Sequence, residues 1–196
     1  MTIDGVTRPL PNPFFVLATQ NPIESHGTYP LPDAQLDRFL VKINVGHPAK
    51  AIEKQLLENV LHGFDAAALE TAKLVQVIDG KKLVEMQSFL TQIRVDGALL
   101  DYITEIVGQT RTHRSIYLGA SPRASIALLQ SARAWAAMQS RDFVVPDDVK
   151  FLAPAVLRHR LVLQPEAEFE GLNADTCIQN ILQAVAVPKS AGYETT

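Results

Sequence analysis

Tyr29-Pro-Leu-Pro-Asp-Ala-Gln-Leu-Asp-Arg-Phe39 is the stretch on which the reading of this chain turns. A proline-rich loop leads into a short helical run that ends on Arg38. A second signpost is Gly119-Ala-Ser-Pro-Arg-Ala124, in which Ser121 can cap a helix, Pro122 suits its first position, and Arg123 follows. A third is Ala18-Thr-Gln-Asn-Pro22, at the end of an apolar run. Arginine and asparagine at the ends of elements are what a protein uses to sense and stabilise a transferring phosphate. Nothing in the sequence is built to grip that phosphate, because no G-x-x-x-x-G-K-[ST] loop occurs. The residues therefore read as the sensing half of a nucleotide site.

Working outward, Phe14 to Thr19 is continuously apolar between Pro13 and Asn21-Pro22, which predicts a buried strand of a parallel sheet. Phe39 to Asn44 predicts a second strand. Asp4-Gly5 predicts a hairpin with short arms. Two central strands do not make a stable sheet alone. The expectation is thus a chain that starts inside an α/β domain and exposes an apolar face before residue 47.

After Gly46-His47-Pro48 the pattern turns helical. Ile52, Leu56, Leu57 and Val60 share one face of a helix over 49–61. Further helices are predicted over 81–92, 97–111 capped by Asp96, 122–138, 146–157 and 173–185, with short extended pieces at 74–78 and 161–163. The predicted fold class is an α/β fragment followed by an all-α domain, divided as 1–47 and 48–196.

Composition narrows the function. A net charge of −3 over 196 residues gives no electrostatic footprint for nucleic acid. One cysteine, Cys177, excludes an intrachain disulfide and a cysteine-based metal cluster. His26, His113 and His159 have no metal-ligand spacing, so no metal site is expected in this chain. No apolar run approaches a membrane span, and the cytoplasm is the expected compartment.

These motifs closely resemble the MoxR branch of the AAA+ ATPases. The likeness covers Thr2-Ile-Asp-Gly, Pro13 to Glu24, Gly27 to Phe39, Gly119 to Arg123, Arg141 to Val149 and Leu157-Arg-His-Arg-Leu161, in order. The resemblance implies a truncated P-loop AAA+ ATPase, namely the end of the nucleotide-binding core plus the helical lid. Phosphate loop and magnesium-holding acidic strand both lie outside the sequence. It also implies an ATP-driven remodelling chaperone that works as a ring, usually of six subunits, often with a von Willebrand factor A domain partner. ATP and Mg2+ would then be the cofactors of the complete protein, neither held tightly by this segment alone.

By the same resemblance, Asn21 matches sensor 1, which positions water near the terminal phosphate. Its amide can donate and accept, though asparagine before proline is also a common turn former. Arg38 matches the arginine finger that reaches the neighbouring subunit's ATP. The plain alternative is a surface ion pair with Asp33 or Asp37. Arg123 matches sensor 2, acting in cis from the lid. The first turn of a helix disfavours a cation and attracts anions, which suits a phosphate-sensing role better than a merely solvated one. Tyr29 and the loop 24–30 are candidates to line a pore or a subunit boundary. A second function class stands beside this one: the helical part from 49 to 187 as a non-catalytic interaction module.

Overall fold

A computed structural model of the chain describes residues 2, 3, 5–20, 31–68 and 74–188. Contacts divide the chain into two units, one of residues 1–15 with 44–86 and the other of residues 16–43 with 87–196.

In the first unit, β1 (Thr2–Ile3) and β2 (Val6–Thr7) pair antiparallel, with Thr2 opposite Thr7 and Ile3 opposite Val6. Gly5 takes a φ of +77°, which the tight turn requires and which glycine adopts without a Cβ clash. Helix α1 (Asp33–Leu36) belongs to the second unit; α2 (Lys50–Leu61) belongs to the first and carries the predicted apolar stripe. None of the described residues of this unit is buried. The stretch 74–79 has no regular secondary structure and leads into α3 (Gly80–Phe89), whose first turn is capped when Lys82 N donates to Asp79 Oδ1 at 2.7 Å.

The second unit holds the core. Helix α4 (Gly97–Thr112) is capped by Asp96, which accepts from Ala98 N at 2.8 Å. It buries Leu99, Tyr102, Ile103, Ile106 and Val107 on the face that the spacing predicts. Helix α5 (Pro122–Met138) turns a row of small residues, Ala124, Ala127, Ser131, Ala132 and Ala136, toward the interior around Leu128. These permit close packing against α4 and against α6 (Pro146–Leu157). A last long helix, α8 (Ala174–Ala184), inserts Cys177, Ile178, Ile181 and Leu182 against α6 and α4. Burial raises the pKa of the Cys177 thiol, as expected for an inert core cysteine. A two-stranded antiparallel sheet, β3 (Ile116–Leu118) with β4 (Val162–Leu163), and the short α7 (Pro165–Phe169) complete it.

Two expectations are corrected. Neither Phe14 to Thr19 nor Phe39 to Asn44 is a strand. A strand exists only by pairing, and among the described residues no ladder reaches either stretch. Phe15 and Leu17 are instead about four-fifths exposed. The second stretch is irregular and docks on a helix end: Lys42 N donates to Ala155 O at 2.8 Å, and Val41 packs against the core. By their contacts, residues 16–43 belong with the helical unit.

Candidate functional site

The site begins with an approach that only glycine permits. A Cβ on Gly119 would come within 2.7 Å of the Thr110 carbonyl oxygen and the Arg111 Cα. The chain leaving β3 therefore runs directly over the last turn of α4. Thr110, fully buried, accepts from Ala120 N at 3.0 Å and donates to Val107 O at 2.6 Å. Arg111 Nε donates to Ala120 O at 2.9 Å. These bonds fix where α5 starts. Ser121 then caps it, its Oγ accepting from Arg123 N at 3.2 Å. Arg123 is thereby held in the first turn with its side chain 56% exposed.

The second arm is residues 37–42. Arg38 N donates to Gln35 O at 3.2 Å and Phe39 N to Leu36 O at 3.0 Å, closing a turn behind α1. Behind that turn lies Arg160, whose side chain is only 2% exposed. Its Nε donates to Asp37 Oδ1 at 3.1 Å. Nη2 donates to Asp37 O at 3.2 Å and Phe39 O at 2.6 Å. Nη1 donates to Leu40 O at 3.2 Å and to Val156 O. A guanidinium has five N–H groups, and each has an acceptor here. Burial lowers the Arg160 pKa, while Asp37 opposes that shift.

Asp37 ties the two arms together. Its carboxylate accepts from Ser121 Oγ at 2.9 Å, pairs with Arg160, and lies 3.7 Å from Arg123 Nη1. The contact to Arg123 is long and half-exposed, a geometry worth at most about 1 kcal/mol. The pair with Arg160 is shielded and supported by the carbonyl contacts, a geometry that resists separation.

Arg38, the next residue in the chain, is not drawn into this network. It is exposed, and among the described residues its guanidinium has no hydrogen-bond or ion-pair partner. Arg38, Arg123 and Arg160 line one shallow cleft of about 350 Å³ together with Asp37, Ile126 and Gln130. Arg160 offsets the Asp37 carboxylate, which leaves Arg38 and Arg123 as the exposed cations of a cleft that suits an anion. The ion pairs of Arg38 with Asp33 or Asp37 weighed from the sequence do not form, because Asp37 is committed to Arg160 and Ser121.

The structure thus brings Arg38 and Arg123 to one cleft. Asn21, Tyr29, His26 and the loop 24–30 lie outside the described residues. Among the described residues no cluster of His, Cys, Asp or Glu could hold a metal ion, and no helix is long and apolar enough to cross a membrane.

Sequence reasoning missed Asp37, His159 and Arg160 as a group. The run Leu157-Arg-His-Arg reads as a basic helix end, yet each of its basic side chains grips the arm or the bundle. Arg158 Nε donates to Asp175 Oδ1 at 2.9 Å and its Nη1 to Lys42 O at 3.3 Å. His159 Nε2 donates to Phe39 O at 3.0 Å, which leaves buried Nδ1 without a partner. Burial lowers the His159 pKa. The bond to Phe39 opposes this, Arg160 and Lys42 add to it, and Asp37 again opposes. The available signal was three consecutive basic residues just past a helix whose last carbonyls need donors.

Comparison with known proteins agrees with this architecture. Residues 1–41 match the family described as ATPase family associated with various cellular activities (AAA), and residues 108–181 match the AAA lid domain. The Bacillus subtilis protein YeaC is 46% identical over 188 residues, covering 96% of this chain and 57% of YeaC. Chaperone MoxR1 of Mycobacterium tuberculosis is 38% identical over 198 residues, covering 96% of this chain and 51% of MoxR1. A crystal structure of a candidate ATPase from Cytophaga hutchinsonii superposes with a TM-score of 0.86 at 37% identity, covering 96% of this chain and 58% of that one. The chain spans about half the length of the curated relatives it matches.

Proposed function

Because this chain belongs to the MoxR family of AAA+ ATPases, we propose that it supplies the phosphate-sensing arginines of an ATP-hydrolysing ring. Members of this family typically oligomerise. In the proposed ring of six subunits, Arg38 reaches from one subunit to the terminal phosphate held by the next. There it neutralises charge on the phosphoryl oxygens as bond cleavage proceeds. Arg123 reads the same phosphate position within its own subunit, at a helix start that already favours anions. Asn21 orients the attacking water. ATP and Mg2+ are held by a phosphate loop and acidic strand of a kind absent from these 196 residues. The work done is remodelling or maturation of protein complexes in the cytoplasm, with a von Willebrand factor A domain protein as partner.

The single observation that carries the reading is the contrast between neighbours 37 and 38. Asp37 is locked into the helical unit, while Arg38 is exposed beside Arg123 with no partner among the described residues. A guanidinium left unpaired at the rim of a cationic cleft fits a group whose partner arrives from another molecule.

The test is a full-length chimera in which residues 1–196 replace the matching part of YeaC. Arg38→Ala should lower turnover by about 10³-fold or more, the scale of an arginine supplied in trans, while ATP affinity changes little. Mixing with unsubstituted subunits should restore turnover at some sites. Equal turnover in the variant would overturn the finger assignment and favour the interaction-module reading, for which the exposed stripe Ile52, Leu56, Leu57 and Val60 on α2 is the supporting feature.

A further inference from the structure

We propose that Arg160 is a positioning residue for Arg38, acting through Asp37 and the backbone on both sides of Arg38. The inference rests on the reading of Arg38 given above and extends it to residues that touch no nucleotide. Four of the five Arg160 contacts fall on residues 37, 39 and 40: the carboxylate and carbonyl of Asp37, and the carbonyls of Phe39 and Leu40. The fifth falls on Val156 O at the end of α6. Arg38 is thus the residue stepped over, and a buried fork holds the peptide groups flanking it.

The surroundings reinforce the clamp. Ala155 O takes Lys42 N, Val156 O takes Arg160 Nη1 and Leu157 O takes Arg160 N, so the last carbonyls of α6 hold this arm or its clamp, while Pro154 O takes Arg158 N. Ser121 adds a bond from the start of α5 to the Asp37 carboxylate. An exposed arginine has several rotatable bonds and loses much entropy when it is ordered on a ligand. Fixing its backbone beforehand removes the backbone share of the ordering cost and leaves only the side-chain share to be met on binding. Ser121 and Asp37 also connect the turn carrying Arg38 to the helix start carrying Arg123.

Lysine at position 160 keeps one charge but cannot fork across several carbonyls. In the 196-residue chain, Arg160→Lys should speed amide exchange at Phe39 and Lys42 by about tenfold or more while α4 amides stay protected. In the YeaC chimera the same change should lower kcat by about 10- to 100-fold, the penalty for a small misplacement of a reacting group, with KM for ATP nearly constant. In an Arg38→Ala background it should lower kcat no further. Asp37→Asn, which keeps volume and an acceptor oxygen, should act in the same direction, and it carries the comparison if Arg160→Lys does not fold. Unchanged exchange and kcat would overturn the inference, as would an equal loss of kcat with and without Arg38. If Arg38→Ala itself leaves turnover intact, the finger reading fails and the positioning role falls with it. An intact effect of Arg38→Ala with a silent Arg160→Lys removes the positioning role alone.

Discussion

Helices α2 and α4 carry the same kind of apolar stripe and meet different fates. In α2, Ile52, Leu56, Leu57 and Val60 recur at helical spacing, and all are more than half exposed. In α4, Leu99, Ile103, Ile106 and Val107 also recur at helical spacing and are buried on a helix that packs against α5 and α8. A periodic stripe states that a helix has a face to cover; it does not state what covers it. Burial requires a second element with a matching face. In the helical unit, the small residues of α5 and the aliphatic face of α8 provide it.

The largest effect that would sharpen this contrast is at Leu128, fully buried on α5, the helix that packs against both α4 and α6. Leu128→Ala should destabilise the chain by about 2–5 kcal/mol in denaturant unfolding, the range for a cavity in a packed core. A smaller effect should come from His159, whose burial in the folded state lowers its pKa. Its folded pKa lies below the ordinary imidazole value of about 6.5, so the unfolded chain binds more protons as pH falls through that window. Stability therefore rises with pH, is fully present above about pH 6.5, and is lost as pH drops through the lowered folded value. Melting temperature should fall between pH 7 and pH 5, and His159→Gln should flatten that dependence. An unaltered slope in the variant would show that other groups carry it. The smallest effect should be at Leu57 on the exposed face of α2. Leu57→Ala should change stability by no more than about 0.5 kcal/mol. A loss comparable to that at Leu128 would erase the difference between the two helices and show the α2 face to be covered in solution.

Much of the helical unit is legible from local signals. Asp96, Ser121-Pro122, Pro146 and Asn173 announce helix starts by chemistry that needs no tertiary partner, and each start is where the cap places it. The runs 14–19 and 39–44 mislead because apolarity is a local property and strand pairing is not. β3 escaped notice because its Tyr117 and Leu118 are largely exposed. It also follows α4 too closely for a run to declare itself. At the site, Arg38 and Arg123 stand out through the motifs around them. Arg160 does not, since a buried arginine and an exposed one look alike in a string of residues.

Residue order alone was enough to set the caps, the helical periods and the two arginine motifs, because each of these is a matter of a few neighbouring groups. Only long-range packing could hand Asp37 to Arg160, 123 positions away, and so leave Arg38 unclaimed. An ion pair goes to the partner that can exclude water around it and satisfy the remaining donors. That partner was chosen by the end of α6, not by the side chains next to Asp37 in the chain.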